Sequence, residues 1–168
     1  MSYQEKRSFV SILSGAILLL VYILNVLGRY RQGILPVTDL KAWATTIMIF
    51  IGIAIVGFII IQIVFHIMLS VSIAVTKAVK EGVTDNEELG NSIKANMIED
   101  EMDKFISLKA TKFSTFVYGL GFFVGLIALM LDYSAVILLN SVFISFCLGI
   151  IIEGVAQIFF YKRGLNHA

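Results

Sequence analysis

The chain has 168 residues and a formal net charge of +1, with 58% hydrophobic and only 15% charged residues. That leaves too little polar surface to cover the core of a soluble domain, so a water-soluble globular fold is excluded and a membrane protein is indicated. The near-balanced charge gives no whole-chain basis for nucleic-acid binding. The single cysteine, Cys147, supports neither an intrachain disulfide nor a Cys-based metal motif, and no cofactor or metal is expected.

A helix crosses roughly 30 Å of hydrocarbon with about 20 apolar residues, and four segments qualify. The first, residues 8–28, follows Lys6 and Arg7 as a signal peptide would. It is too long for that role and runs into GRYRQG without a small-residue cleavage pattern, which predicts a retained helix. The second, residues 42–76, would extend over roughly 50 Å as a straight helix, so it must tilt or leave the bilayer. Lys77 and Lys80 followed by Gly82 suit its C-terminus. The third and fourth segments, residues 113–131 and 134–161, are separated by a turn at Asp132 and Tyr133. The expected fold is all-α: one polytopic four-helix transmembrane domain over residues 1–168, made of two tandem hairpins, with a cytoplasmic helical loop at 77–112.

Within that loop Thr84 and Glu87 match a capping box opening a short turn ended by Gly90, and Asn91 or Ser92 can cap the next helix. The stretch IEDEMDKFISLKATKF then places Ile98, Met102, Phe105 and Ile106 on one helical stripe, with Glu99, Asp100, Asp103 and Lys104 elsewhere. Asp100 and Lys104 are spaced as an i,i+4 ion pair. The stripe reads as the apolar side of an interfacial helix or, alternatively, as a docking surface for a partner. The acidic residues here lack the spacing and glycine of a calcium loop.

EDEMDKFISLKATK resembles the acidic segment, of the form D-E-x-D-x-x-I-x-x-K-A or K-G, that precedes a membrane helix in small predicted bacterial four-helix membrane proteins of uncharacterised function. Asp100, Glu101, Asp103, Ile106, Lys109 and Ala110 match that pattern. The resemblance implies a four-helix layout in a bacterial inner membrane and an accessory or regulatory role rather than an enzymatic one.

Two further stretches echo each other. IIIQIVFHI (59–67) and IIIEGVAQI (150–158) each set a polar pair at i,i+4 within an apolar run: Gln62 with His66, and Glu153 with Gln157. Small residues at i,i+4, Ser11 with Gly15 and Gly121 with Gly125, permit close helix contact in the first and third helices. A tandem hairpin repeat would bring Gln62, His66, Glu153 and Gln157 together in the cytoplasmic half of the bundle. Ionisable groups in membrane segments face an interior or a wet cavity and invite a functional reading. Glu153 is the main candidate, for structural pairing, for transport or ligand contact, or for contact with a partner. His66 reads first as a structural or interfacial hydrogen-bonding group, with proton, ion or metal handling as alternatives. Asn25 and Asn140 read as interhelical hydrogen bonds, and Cys147 as packing.

No HExxH, GxSxG or GxxxxGK[ST] motif is present, and the other histidine, His167, lies beside the C-terminus. The expected function is therefore a non-enzymatic membrane accessory or regulatory protein acting through helix packing and its loop. A small oligomeric transporter or channel with a polar site around Glu153 and His66 is the alternative. Its partners are the lipid bilayer and either a second copy or another membrane protein.

Ten of the 13 basic residues lie on the side shared by the termini and the middle loop; only Arg29, Arg31 and Lys41 lie opposite. By the positive-inside rule the protein is a multi-pass cell-membrane protein with both termini cytoplasmic. With Cys147 replaced, cysteines introduced at Gln32 and Asn91 should then react from opposite faces, and in intact cells an impermeant thiol reagent should reach only position 32. Labelling at 91 alone reverses the orientation, and labelling at both positions breaks the four-helix count.

Overall fold

Each apolar segment coincides with a helix that runs beyond it at one end or at both. Helix α1 spans Tyr3–Arg31, α2 Leu40–Lys80, α3 Glu101–Met130 and α4 Ala135–Gly164. The computed structural model describes residues 3–80 and 100–164. All four helices are long and apolar enough to cross a membrane, so the chain is an all-α, multi-pass membrane protein. The loop helix expected to run straight into the third membrane segment does so: polar turns and apolar segment form one unbroken helix, α3, from Glu101. The features expected at Gly82, Thr84, Glu87, Gly90, Asn91, Ser92 and Ile98, and His167, lie outside the described residues.

Local hydrogen bonding sets the helix ends. Gly33, with φ of +73°, closes α1: its N–H donates to the Tyr30 carbonyl at 3.0 Å, and the Ile34 N–H reaches back to Arg29 at 3.0 Å. This is a Schellman motif, which requires a left-handed residue where glycine is favoured. Asp39 caps α2 by accepting the Ala42 N–H at 2.9 Å, and Trp43 Nε1–H donates to the Pro36 carbonyl at 3.1 Å. At the start of α3 the Asp103 N–H donates to Asp100 Oδ1 at 2.6 Å, and the Asp100 N–H returns to Asp103 Oδ2 at 3.2 Å. The reciprocal bonds make a capping box. The expected Asp100–Lys104 pair gives way to this cap, because an unpaired amide at a helix start is the nearer demand on the carboxylate.

Helix α4 is the centre of the bundle, packing on α3 and α1 along its length and on α2 less extensively. Small residues allow the approach. A Cβ on Gly121 would strike the Ser145 side chain and lie 2.9 Å from the Ser141 carbonyl, and Gly149 lies beneath the Tyr118 ring. On the α1 side Gly15 sits against Ile150 and Ile151, and Gly154 against Ile12 and the Ser8 carbonyl. Both small-residue stripes thus face α4.

Helix α2 joins mainly at the end where the two short connectors lie, the connector end. There Tyr22 meets Phe50 edge-on at 5.1 Å and Phe143 at 4.4 Å, within a buried cluster that includes Val26, Leu35, Trp43, Ile47, Val136 and Cys147. The Tyr22 hydroxyl donates to Asn140 Oδ1 at 2.6 Å, the interhelical bond expected of Asn140. Arg29 donates to Thr46 Oγ1 at 3.2 Å. Further along, an open apolar groove of about 710 Å³ separates α1 from α2. The hairpins are consecutive in the chain but do not pack alike: α3 and α4 adhere throughout, whereas α1 and α2 touch chiefly at one end.

If glycine at 121 sets the α3–α4 distance, Gly121→Ala should destabilise the purified protein by about 1–3 kcal/mol through overpacking. Gly119→Ala, whose added Cβ meets nothing within 4 Å, should be neutral or stabilising by up to about 1 kcal/mol from helix propensity. Thermal unfolding in detergent distinguishes the two, and equal effects would remove the close-packing account.

Candidate functional site: a polar cleft among four helices

At the end opposite the connectors, all four helices contribute to a cleft of about 380 Å³. Helix α1 supplies Gln4, Arg7, Ser8 and Ser11, and α2 supplies Gln62. Helix α3 adds Asp103 and Ser107, while α4 adds Glu153, Gln157 and Tyr161. Every one of these side chains carries a hydrogen-bonding group. Such a concentration in a chain this apolar is costly unless the groups have partners.

Glu153 finds its partners on α3. Thr111 Oγ1–H donates to Oε1 at 3.0 Å, and Ser114 Oγ–H donates to Oε2 at 2.8 Å. Both hydroxyls also lie 3.0 Å from carbonyls of their own helix, at Ser107 and Thr111 respectively. A bond to an ionised carboxylate is the stronger of the two. Ser114 is fully buried, so the close α3–α4 contact made possible by Gly121 and Gly149 brings its hydroxyl to the carboxylate. Both of these hydrogen-bond partners are neutral: Glu153 is held in place, and its charge is not cancelled by them.

Gln157 is anchored from the other side. Ser8 Oγ lies 2.6 Å from Gln157 Oε1 and 2.9 Å from the Gln4 carbonyl, and its one proton serves either acceptor. Gly154 opens the route, because a side chain there would collide with Ile12. Two amide atoms remain without a hydrogen-bond partner although buried: Gln4 Nε2 and Gln62 Oε1. Gln4 is only 8% exposed. A donor and an acceptor thus line the same cleft with their capacity unused.

Of the four residues expected to form a polar site, Gln62, Glu153 and Gln157 line this cleft, whereas His66 is not part of its lining. His66 is exposed, with its ring 6.3 Å from that of Phe65 and its carbonyl accepting from Ser70. One helical turn carries it about 6 Å past Gln62, toward the stretch of α2 that extends beyond the start of α1. On α3, Met102 and Phe105 are exposed while Ile106 is buried, so the apolar stripe divides between the bundle and its surroundings. Asn25 lines the α1–α2 groove.

Sequence reasoning missed Gln4, Ser8, Thr111 and Ser114. Hydroxyls are common in membrane helices, where they bond back to the preceding turn. Only their i,i+3 spacing at 111 and 114, on a face opposite a lone carboxylate, hinted at more. Among the described residues no group of three or more His, Cys, Asp or Glu side chains is placed to hold a metal ion.

Comparison of the chain with protein-family models, with curated proteins and with solved structures gives no match.

Proposed function

We propose that the protein is non-enzymatic and binds a small polar or cationic solute in the four-helix cleft, as a transporter or channel subunit does. The observation that carries this reading is the cleft itself: it is lined by polar side chains from every helix, holds a carboxylate whose two hydrogen-bond partners are neutral hydroxyls, and retains two buried amide atoms without partners. Buried polar groups left unpaired typically mark a missing water, ion or ligand. Binding residues are Glu153 for charge, Gln62 and Gln4 for hydrogen bonds, and Thr111 and Ser114 for holding the carboxylate. Under the positive-inside orientation the cleft opens toward the cytoplasm.

A second reading, an accessory or regulatory subunit, draws on α2. Met48, Ile55, Ile59 and Met68 are all exposed, and α2 contacts its own bundle sparingly. Another membrane protein or a second copy has room to pack there. Native-membrane pull-down followed by mass determination separates a heterologous complex from a homo-oligomer.

The solute-binding reading has a direct test. With Cys147→Ala as background, a cysteine at Ser107 lines the cleft. Normalised to a free thiol, a cationic methanethiosulfonate should modify it about tenfold faster than an anionic one, as about 1.4 kcal/mol of favourable potential gives. Glu153→Gln should remove most of that preference. Equal normalised rates, or a preference that survives the substitution, would take the cation site away from Glu153.

A further inference from the structure

The cleft does not end at Glu153. Ser11, Glu153 and Gln157 also line an adjoining cavity of about 260 Å³, whose wall includes Phe58. Phe58 in turn lines the apolar groove of about 710 Å³ between α1 and α2. Phe58 is thus the wall common to the cavity beside the carboxylate and to a trough lined by residues such as Leu13, Ile17, Ile53 and Ile61. Polar head space and apolar tail space adjoin within one molecule, with the Phe58 side chain between them.

From this juxtaposition we propose that the ligand is an amphiphilic cation: an ammonium head carrying a hydroxyl or carbonyl oxygen seated at Glu153, with an apolar tail along the α1–α2 groove. The proposal rests on the solute-binding reading and adds the chemical class of the solute. The charge of the cleft supports a cation, since one guanidinium, Arg7, stands against two carboxylates, Asp103 and Glu153. Asp103 keeps its charge while capping α3, and Glu153 is the carboxylate that also lines the adjoining cavity, so it is the one that faces the ligand. An ammonium N–H satisfies the buried Gln62 Oε1, and an oxygen near the head accepts from the buried Gln4 Nε2. A purely polar solute would leave the groove unused, and a purely apolar one would leave both amide atoms and the carboxylate without complement. Gly57 lies on the groove wall, and a Cβ at that position would meet nothing within 4 Å, so the trough beside it is open rather than closed by side chains.

The test uses the full chain in phosphatidylcholine nanodiscs and four matched probes, with affinity read from the concentration dependence of the thermal unfolding midpoint. These are 2-(decylamino)ethanol, its neutral analogue 2-(decyloxy)ethanol, the anion decyloxyacetate, and the tailless cation 2-(methylamino)ethanol. The long-chain cation should bind at least tenfold more tightly than the other three. Gly57→Leu, which fills the groove, should bring it down to the affinity of 2-(methylamino)ethanol without changing the latter. Leu20→Ala, at an exposed α1 position outside the groove, should change neither. Glu153→Gln should abolish the advantage of the cation over the neutral ether.

Equal binding of the long and short cations, or a chain-length gain that survives Gly57→Leu, overturns the tail assignment while leaving the cleft as a site for small cations. Binding by neither cation overturns both readings. A preference for decyloxyacetate that is lost on Arg29→Gln places an anionic head at the opposite end of the groove, and likewise overturns the proposal.

Discussion

Hydrocarbon offers no hydrogen bonds, so a carboxylate near it must find donors within the protein, and the placement of Glu153 follows from that constraint. Its two donors belong to a different helix, which means they reach it only if α3 and α4 approach closely around Thr111 and Ser114. Gly121 and Gly149 allow that approach by removing the side chains that would hold the backbones apart. The same helix pair then fixes one wall of the cleft, with Thr111 and Ser114 behind the carboxylate and its open side toward α1 and α2.

The remaining walls are built to a looser standard. Helix α1 rests on α4 through Gly15 and Gly154, and the Ser8–Gln157 bond closes that seam at the cleft. Helix α2 is fastened at the connector end by aromatic packing around Tyr22, by the Trp43–Pro36 bond and by Arg29–Thr46. On one side, from Arg29 and Thr46 to Val10 and Ile61, it stands off from α1, and the space between them is groove rather than core. Close packing of three helices and a gap at the fourth therefore combine a wall that holds the carboxylate with an apolar trough beside it.

The polar residues divide according to whether their neighbours satisfy them. Tyr22 and Asn140 pair across α1 and α4 within the core, where the bond contributes to helix association. Gln4 and Gln62 each keep a buried amide atom without a partner. Amide side chains thus serve as a structural tie at one end of the bundle and keep unsatisfied polar atoms at the other.

What the sequence determined by itself is the set of properties that depend on local composition. Four apolar runs, each long enough for the bilayer, specified four membrane-length helices, because length and hydropathy belong to a single stretch; the helix ends at Gly33, Asp39 and Asp100 emerged only with the structure, Asp100 being spaced equally well for an ion pair with Lys104. The polar positions Gln62, Glu153 and Gln157 were also legible, since an amide or carboxylate stands out in an isoleucine-rich run. Only the tertiary structure decided what those groups meet. An internal likeness between two stretches suggested that four residues would converge, yet helix pitch and the splay of α2 kept His66 off the cleft, while Gln4 and Ser8 came to it, and Thr111 and Ser114 to its carboxylate, with at most the i,i+3 spacing of the last two as a sign. Partners across a bundle depend on which faces are turned inward and how closely the axes approach, and both are set by contacts between segments far apart in the chain, which no local pattern records.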